Sequence, residues 1–316
     1  MSDEAQQLRA VQHMVARERL SLDEPAADRT CFLSHVGAQA RLVPGPWIGH
    51  RDLIYAMALA NLSPAQRTSL ARAVLVEYGR EFGVGRLRLV ASDSGLPLGG
   101  SSLRMEHRQG GPVCLYTWGL GVAPAVVEHE WMLLRAQPEW ALDEPPRVIS
   151  VSGLQTLAAL GGEVVVLVAS AVAAVQVAQL CAGQVDVAAH PRFSPYIEGL
   201  VPDAPVLLWP HDALDGAGLR RHEVVAVVTV GAPEPVLESV RRWVAGRPGK
   251  AEVQVVPVAC PGRLDRGRLA GYWEKCGRPK VLLRGDTRWA TSGADWLTSL
   301  GAVVHVQGAA TQLSLI

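Results

Sequence analysis

The feature that most constrains the fold is a series of short Val- and Leu-rich runs in the second half of the chain. The clearest runs are 163–168, 224–230 and 253–258, and the segments 171–181 and 235–244 between them have helical period. Strands that are buried on both faces read as continuous apolar runs, and strands that alternate with helices form parallel sheets. We therefore predict an α/β protein whose second half consists of parallel α/β layers.

The first half has stronger local signals. An amphipathic helix or tail is predicted over 6–20, and a short strand over 31–33. Ser63, Pro64 and Gln66 have the pattern of a capping box, which predicts a helix that begins there and runs towards residue 79. Strands at 103–106 and 113–116, separated by Gly110 and Gly111, predict a hairpin.

Composition limits the class of protein. The 316 residues, 49% of them hydrophobic, suffice for one large domain or two closely joined ones. The five cysteines form no C-x-x-C pair, which favours reduced thiols in a cytoplasmic protein. The longest apolar stretch, 164–177, is too short to span a bilayer, and residues 1–12 lack an apolar signal-peptide core. We expect a cytoplasmic protein without membrane association.

Charge is unevenly distributed along a chain of zero net charge. Between residues 241 and 290 there are twelve Arg or Lys residues against four Asp or Glu residues. A basic segment in a neutral protein is a modest indication of nucleic-acid contact. The alternative is a solvated surface with scattered arginines.

Several landmarks occur in an order that resembles the metallo-β-lactamase/β-CASP nucleases, which include bacterial ligase-associated exonucleases and mRNA 3′-end processing factors. They are an acidic turn and strand ending in Ser34-His35, a Gly/Ser loop ending at Ser101-Ser102, the segment Tyr116-Thr117-Trp118-Gly119, the strand run 163–169, and Leu283-Arg284-Gly285-Asp286 before a final helix. The resemblance implies an αββα sandwich with an inserted β-CASP-like parallel α/β domain. It implies an N-terminal part at 1–145, the insertion at 146–250, and a C-terminal segment at 251–316 that completes the first domain.

The same resemblance implies that the active site is degenerate. Only His35 remains of the family's His-x-His-x-Asp-His loop. The other positions where the family has metal ligands or proton-transfer groups are occupied by Gly37, Gln39, Ala40, Leu96 (or its neighbour Pro97), Gly119, Arg263 and Arg284. Hydrolysis in this fold depends on bound zinc, which lowers the pKa of water to about 7, and Gly and Ala cannot ligate zinc. We therefore expect no catalytic residues, no metal and no cofactor.

Two groups of residues are candidates for binding. The resemblance places Arg263 and Arg284 in the cleft, where guanidinium groups bind phosphate without catalysis; the nucleic-acid candidates are Arg263, Arg284, Arg266 and Arg288. Salt bridges to Asp265 or Asp286 are the alternative use of Arg263 and Arg284. The C-terminal residues resemble the peptide by which bacterial repair proteins bind the sliding clamp, with the contacts assigned to Gln312, Leu313, Leu315 and Ile316. The alternative is a last edge strand.

The function that follows is a non-catalytic subunit or scaffold in nucleic-acid processing or DNA repair, paired with an active nuclease or another enzyme. One alternative is an active metal-dependent nuclease or hydrolase with displaced ligands. Another is an α/β binding module tethered to the sliding clamp, and a third is an α/β module unrelated to this family. The sequence alone also leaves a Ser/His/Asp triad open, because its members need not be adjacent.

Overall fold

The structure is a computed structural model. It describes residues 3–24, 28–36, 45–59, 62–121, 123–137, 140, 149–214, 219, 222–232, 234–246, 253–259 and 266–308. The chain divides into two compact units, one formed by residues 1–143 with 262–316 and the other by residues 144–261. The boundaries predicted from the sequence were 145/146 and 250/251.

The described residues form helices and strands in the proportions of a mixed α/β protein. The helices are α1 (Asp3–Arg17), α2 (Arg51–Ala58), α3 (Pro64–Ala71), α4 (Val151–Ala158), α5 (Ala171–Cys181), α6 (Glu234–Ala245), α7 (Arg266–Lys275) and α8 (Thr287–Ser299). The strands are β1 (Leu20–Leu22), β2 (Thr30–Leu33), β3 (Trp47–His50), β4 (Val74–Val76), β5 (Glu81–Val84), β6 (Leu87–Asp93), β7 (Ser101–His107), β8 (Cys114–Thr117), β9 (Trp131–Arg135), β10 (Glu163–Val168), β11 (Val187–Ala189), β12 (Val206–Pro210), β13 (Val224–Val230), β14 (Gln254–Val258), β15 (Lys280–Gly285) and β16 (Val304–Gly308).

The described residues of the first unit form two sheets. Strands β1 to β4 form a four-stranded sheet in that order, and every pair in it is parallel. The second sheet has seven strands in the order β16-β15-β9-β8-β7-β6-β5. Its β5 to β8 portion is antiparallel, whereas β8, β9, β15 and β16 run parallel to one another.

The two sheets share one hydrophobic core. Phe32 and Ile48 of the four-stranded sheet belong to the same buried cluster as Leu103, Leu133 and Leu282 of the seven-stranded sheet. Because successive side chains of a strand point to opposite faces, the neighbouring residues of these strands face outwards. Each fully buried aliphatic side chain contributes about 1.5–3 kcal/mol, so this inter-sheet core is a main source of stability.

Helices cover the outer faces. Leu269 and Trp273 of α7 and Leu297 of α8 pack with Met132 and Leu283, which lie on the outer face of the seven-stranded sheet. On the other sheet, Gly49 faces α2: a Cβ at this position would lie 3.2 Å from Cδ1 of Ile54 and 3.3 Å from Cδ2 of Leu53. In the described part of the first unit, α7 and α8 therefore pack on the seven-stranded sheet and α2 packs on the four-stranded sheet.

The second unit is built on a parallel five-stranded sheet in the order β11-β12-β10-β13-β14. Its central strand β10 is buried from Val164 to Val168. The strand Gln254–Val258, which the sequence assigned to the C-terminal segment, pairs with β13 in this sheet.

Several sequence predictions can be compared directly with the structure. The fold class is confirmed as mixed α/β. Both hydrogen bonds of the capping box at Ser63 are present: the Ser63 side chain accepts from the Gln66 N–H, and the Gln66 side chain accepts from the Ser63 N–H. Strands β7 and β8 form the predicted hairpin. The helix predicted from residue 63 ends at Ala71 rather than near residue 79, and 74–76 is the strand β4. The apolar residues of 147–151 also predict a short strand, but at the described end of that segment Val151 begins α4.

Candidate functional site

The loops that carry the predicted site residues converge at one end of the first unit. Strand β2 ends before Ser34 and β8 ends before Trp118, and the loop between β6 and β7 lies at the same edge of the seven-stranded sheet. The Ser101 N–H donates to the Ser34 carbonyl at 2.8 Å, which joins the two sheets there. Parallel strands bring the groups that follow them to a shared edge, which is where α/β proteins place binding sites.

His35 lies at this edge, two residues after the end of β2, and is buried there. Its ring stacks on Trp118 with the centroids 3.6 Å apart and the planes 14° from parallel. The side chain is 3% exposed. Its Nδ1 lies 3.0 Å from Oγ of Ser34 and 3.8 Å from Oδ1 of Asp23.

Asp23 is the centre of a buried hydrogen-bond network that the sequence did not reveal. Its backbone has φ +53°, and its carboxylate accepts from the Ser34 N–H at 2.7 Å, from the Ser34 hydroxyl at 2.5 Å and from the Tyr116 hydroxyl at 2.7 Å. Burial and the negative charge of Asp23 raise the pKa of Tyr116 well above its usual value. The network links β1, β2 and β8 and therefore fixes the two sheets at this end.

Asp23, Ser34 and His35 bring together the residue types of a hydrolase triad, but not its geometry. In a triad the histidine lies between the acid and the nucleophile, with one ring nitrogen for each. Here the Ser34 hydroxyl donates directly to the Asp23 carboxylate, and the same ring nitrogen of His35 faces both residues. The arrangement suits cohesion between buried groups.

Glycines allow the surrounding loops to interlock. A Cβ at Gly121 would overlap the backbone of Gly95, and the Gly121 N–H donates to the Ser94 carbonyl at 2.9 Å. Leu96, at the position where the resemblance places a metal-binding histidine, is 5% exposed and packed within this loop. Gly119 is buried, and its carbonyl accepts from the Thr117 hydroxyl at 3.1 Å.

A second buried histidine lies beside the same loop. The ring of His50 caps α2 by accepting from the Asp52 N–H at 3.3 Å, and it stacks on Tyr78 with the centroids 3.9 Å apart. The Tyr78 hydroxyl donates to the Gly100 carbonyl at 2.8 Å. Burial lowers the pKa of His50 and raises the pKa of Tyr78 to about 12. The spacing of histidines in the sequence gave no sign of this pair.

The predicted arginines have different surroundings. Arg284 lines a cavity of about 370 Å³ together with Tyr116, Arg135, Asp286, Trp289 and Gln307. Arg266 donates to the Trp140 carbonyl at 2.6 Å and lies over the ring of Trp296, so its guanidinium is engaged within the fold. Arg288 is exposed on α8.

The remaining predicted site residues lie outside the described ranges. They are Gly37, Gln39, Ala40, Arg263, Gln312, Leu313, Leu315 and Ile316. Among the residues that the structure describes, no three His, Cys, Asp or Glu side chains are placed to hold a metal ion. No helix in the described part of the chain combines the length and the apolar character needed to cross a bilayer.

Comparison with known proteins gives a likeness in fold. No family model and no curated protein matches the sequence. Among solved structures, the chain is similar to the crystal structure of a protein of unknown function from Enterococcus faecalis V583. The TM-score is 0.52 at 13% sequence identity, and the match covers 81% of this chain and 74% of that chain.

Proposed function

We propose that this protein is a non-catalytic homologue of the metallo-β-lactamase/β-CASP nucleases that acts as a subunit or scaffold in nucleic-acid processing or DNA repair. Two features of the chain's architecture support the assignment. The first unit has helix, sheet, sheet and helix layers, and the parallel α/β unit at 144–261 interrupts it in sequence. The family has an αββα sandwich interrupted in the same way by the β-CASP domain.

The observation that carries the non-catalytic part of the proposal is the packing at the carboxyl ends of the inner strands. Among the described residues, three positions that correspond to metal ligands in the family hold buried groups, namely His35, Leu96 and Gly119. Leu96 and Gly119 supply no side-chain donor, and His35 is stacked on Trp118 with its Nδ1 turned towards Ser34 and Asp23. A dinuclear site needs several His and Asp side chains at bonding distance. The donor set at these positions does not fit one.

Nucleic-acid binding is the part of the proposal that depends on the basic segment. Arg284 and Arg288 lie close to the start of α8, and Arg288 is exposed. Arginines on a solvent-facing surface bind phosphate by charge-assisted hydrogen bonds and make the affinity dependent on salt. The chain would thus bind nucleic acid while a partner carries out the chemistry.

The test combines hydrolysis and binding in the purified full chain, after dialysis against zinc or manganese. Labelled single-stranded DNA, double-stranded DNA and RNA are incubated with the protein, and binding is followed by fluorescence anisotropy over a range of salt. We expect salt-dependent binding of at least one of them and no hydrolysis above that of a His35→Ala variant. His13→Ala on α1 is the matched control. Hydrolysis that His35→Ala abolishes and His13→Ala preserves would establish instead the active nuclease with displaced ligands, and an absence of binding would refute the nucleic-acid role.

A further inference from the structure

The cavity beside Arg284 has an arrangement of polar groups that points to a ligand. It lies in the first unit at the carboxyl ends of β9, β15 and β16, and its volume is about 370 Å³. Pockets for small organic molecules are about 300–1,000 Å³, mostly apolar, with a few convergent polar groups. Leu22, Leu133 and Trp289 supply apolar surface here.

Three polar residues of the cavity form a row across adjacent parallel strands. Arg284 of β15 is in register with Arg135 of β9 on one side and with Gln307 of β16 on the other. Paired residues in neighbouring strands share a face and lie about 4.8 Å apart. Leu133 lies two residues before Arg135 and Leu282 lies two residues before Arg284, and both leucines belong to the inter-sheet core. Because side chains two residues apart on a strand share a face, Arg135 and Arg284 lie on the face of the sheet that carries this core.

The positive charges of the row are only partly matched. Arg135 forms an ion pair with Glu24 at 3.1 Å. For Arg284, the described part of the chain contains no carboxylate within ion-pair distance. The nearby Asp286 instead caps α8, where its carboxylate accepts from the N–H groups of Arg288 and Trp289. Like charges side by side on neighbouring strands are destabilising, so the two guanidinium groups favour an anion between them.

The side chain of Gln307 indicates that a ligand of this cavity also carries a hydrogen-bond donor. Its Oε1 is buried and has no hydrogen-bond partner within the described residues. A buried acceptor without a partner costs about 1–3 kcal/mol, and a hydroxyl or N–H group on a ligand would remove that cost. Beside it, Trp289 and Tyr116 offer aromatic surface.

We propose that this cavity binds a phosphate monoester on a sugar that carries an aromatic base, that is, a nucleoside monophosphate. Arg284 and Arg135 would bind the phosphate, Gln307 would accept from a sugar hydroxyl, and Trp289 would contact the base. A tetrahedral dianion can be shared by two neighbouring guanidinium groups, whereas a carboxylate is satisfied by one. The inference goes beyond the proposed function, because such a site can exist with or without a nuclease partner.

The experiment is isothermal titration calorimetry of the full chain with four nucleoside monophosphates. Adenosine, inorganic phosphate and glycine serve as comparison ligands. At least one monophosphate is expected to bind about tenfold or more tightly than adenosine and than inorganic phosphate, because each of these lacks one set of contacts. Failure of all four monophosphates to bind, or tighter binding of glycine than of any of them, would overturn the proposal.

Substitutions of residues that line the cavity test whether the monophosphate binds there. Arg284→Gln is expected to weaken the monophosphate by about tenfold to about a hundredfold, and Arg284→Lys by less, since lysine keeps the charge but loses the planar fork. Gln307→Leu is expected to weaken it as well. Arg72→Gln, at an exposed residue that directly follows α3 and does not line the cavity, is the matched control and should change the monophosphate affinity by less than about twofold. Circular dichroism verifies the fold of each variant, and equal affinity of wild type and Arg284→Gln would contradict the site.

Two oligonucleotides, identical except for a terminal phosphate, distinguish a free nucleotide from the end of a strand. Preference for the phosphorylated strand that Arg284→Gln removes would identify the strand end as the source of the monoester. Tight binding of the mononucleotide with equal affinity for both strands would identify the free nucleotide. Failure of both strands to bind would refute the nucleic-acid role proposed above and leave this inference standing on the mononucleotide result.

Discussion

Replacement of Gly121 by alanine is predicted to destabilise the first unit, because two interlocked loops leave no space for a methyl group. A Cβ there would overlap the Gly95 carbonyl and lie 2.6 Å from the nitrogen of Leu96, where real Cβ atoms stay beyond 3.0 Å. Separation of the loops would also weaken the bond from the Gly121 N–H to the Ser94 carbonyl. Overpacking costs about 1–3 kcal/mol and a lost hydrogen bond about 1 kcal/mol. We expect the free energy of unfolding to fall by about 2–4 kcal/mol.

The assay is urea unfolding followed by tryptophan fluorescence and by circular dichroism. Gly271→Ala in α7 is the matched control, because no heavy atom lies within 4 Å of the Cβ that it would add. Alanine is favoured over glycine inside a helix by about 0.5–1 kcal/mol, so this variant should be as stable as wild type or more stable. If Gly121→Ala unfolds at the same urea concentration as wild type, the loops are not interlocked as described.

Three further predictions concern single side chains. Tyr116→Phe removes the bond to the buried Asp23 carboxylate and should lower the free energy of unfolding by about 1–3 kcal/mol in urea titrations. Burial lowers the pKa of His50 below 6.5, so the unfolded chain binds more protons below that pH and stability falls as the pH drops from 6.5 towards the folded value. His50→Asn, which keeps a capping side chain, should therefore lose less stability than wild type between about pH 7 and about pH 5. Arg288→Gln should weaken oligonucleotide binding and reduce the slope of log affinity against log salt by about one, as measured by anisotropy.

Each of these predictions has an outcome that would contradict it. Tyr55→Phe, at a side chain that is 61% exposed, is the control for Tyr116 and should leave stability unchanged; equal stability of both variants would remove the role of the buried network. If His50→Asn and wild type lose the same amount of stability as the pH falls, protonation of His50 is not the cause of that loss. An unchanged salt slope in Arg288→Gln would place nucleic-acid contacts elsewhere.

Local signals in the sequence predicted part of the fold correctly. The capping box at Ser63 and the hairpin of β7 and β8 depend on residues close in sequence, and the short Val-rich run of β10 favours a strand that is buried on both faces. Strand β3 and helix α2 were missed. The strand has only four residues, Trp47–His50, and all four are buried, so it shows no alternation of polar and apolar residues.

The candidate site could be predicted only in part. The resemblance directed attention to His35 and Arg284, and the structure places both in the first unit at strand ends. The groups that determine their surroundings come from distant parts of the chain: Trp118 stacks on His35, and Arg135 and Gln307 lie beside Arg284. These contacts depend on strand register and on the fit of loops, and a single sequence does not encode either in a local pattern.

The metal content of the purified full chain tests directly whether buried packing has replaced a hydrolytic metal centre, as we propose. The protein is equilibrated with zinc and with manganese, passed through a desalting column and analysed by plasma mass spectrometry, beside a His35→Ala variant. We expect well under about one equivalent of either metal and no difference between the two proteins. About two equivalents in the wild type that the variant loses would contradict this expectation.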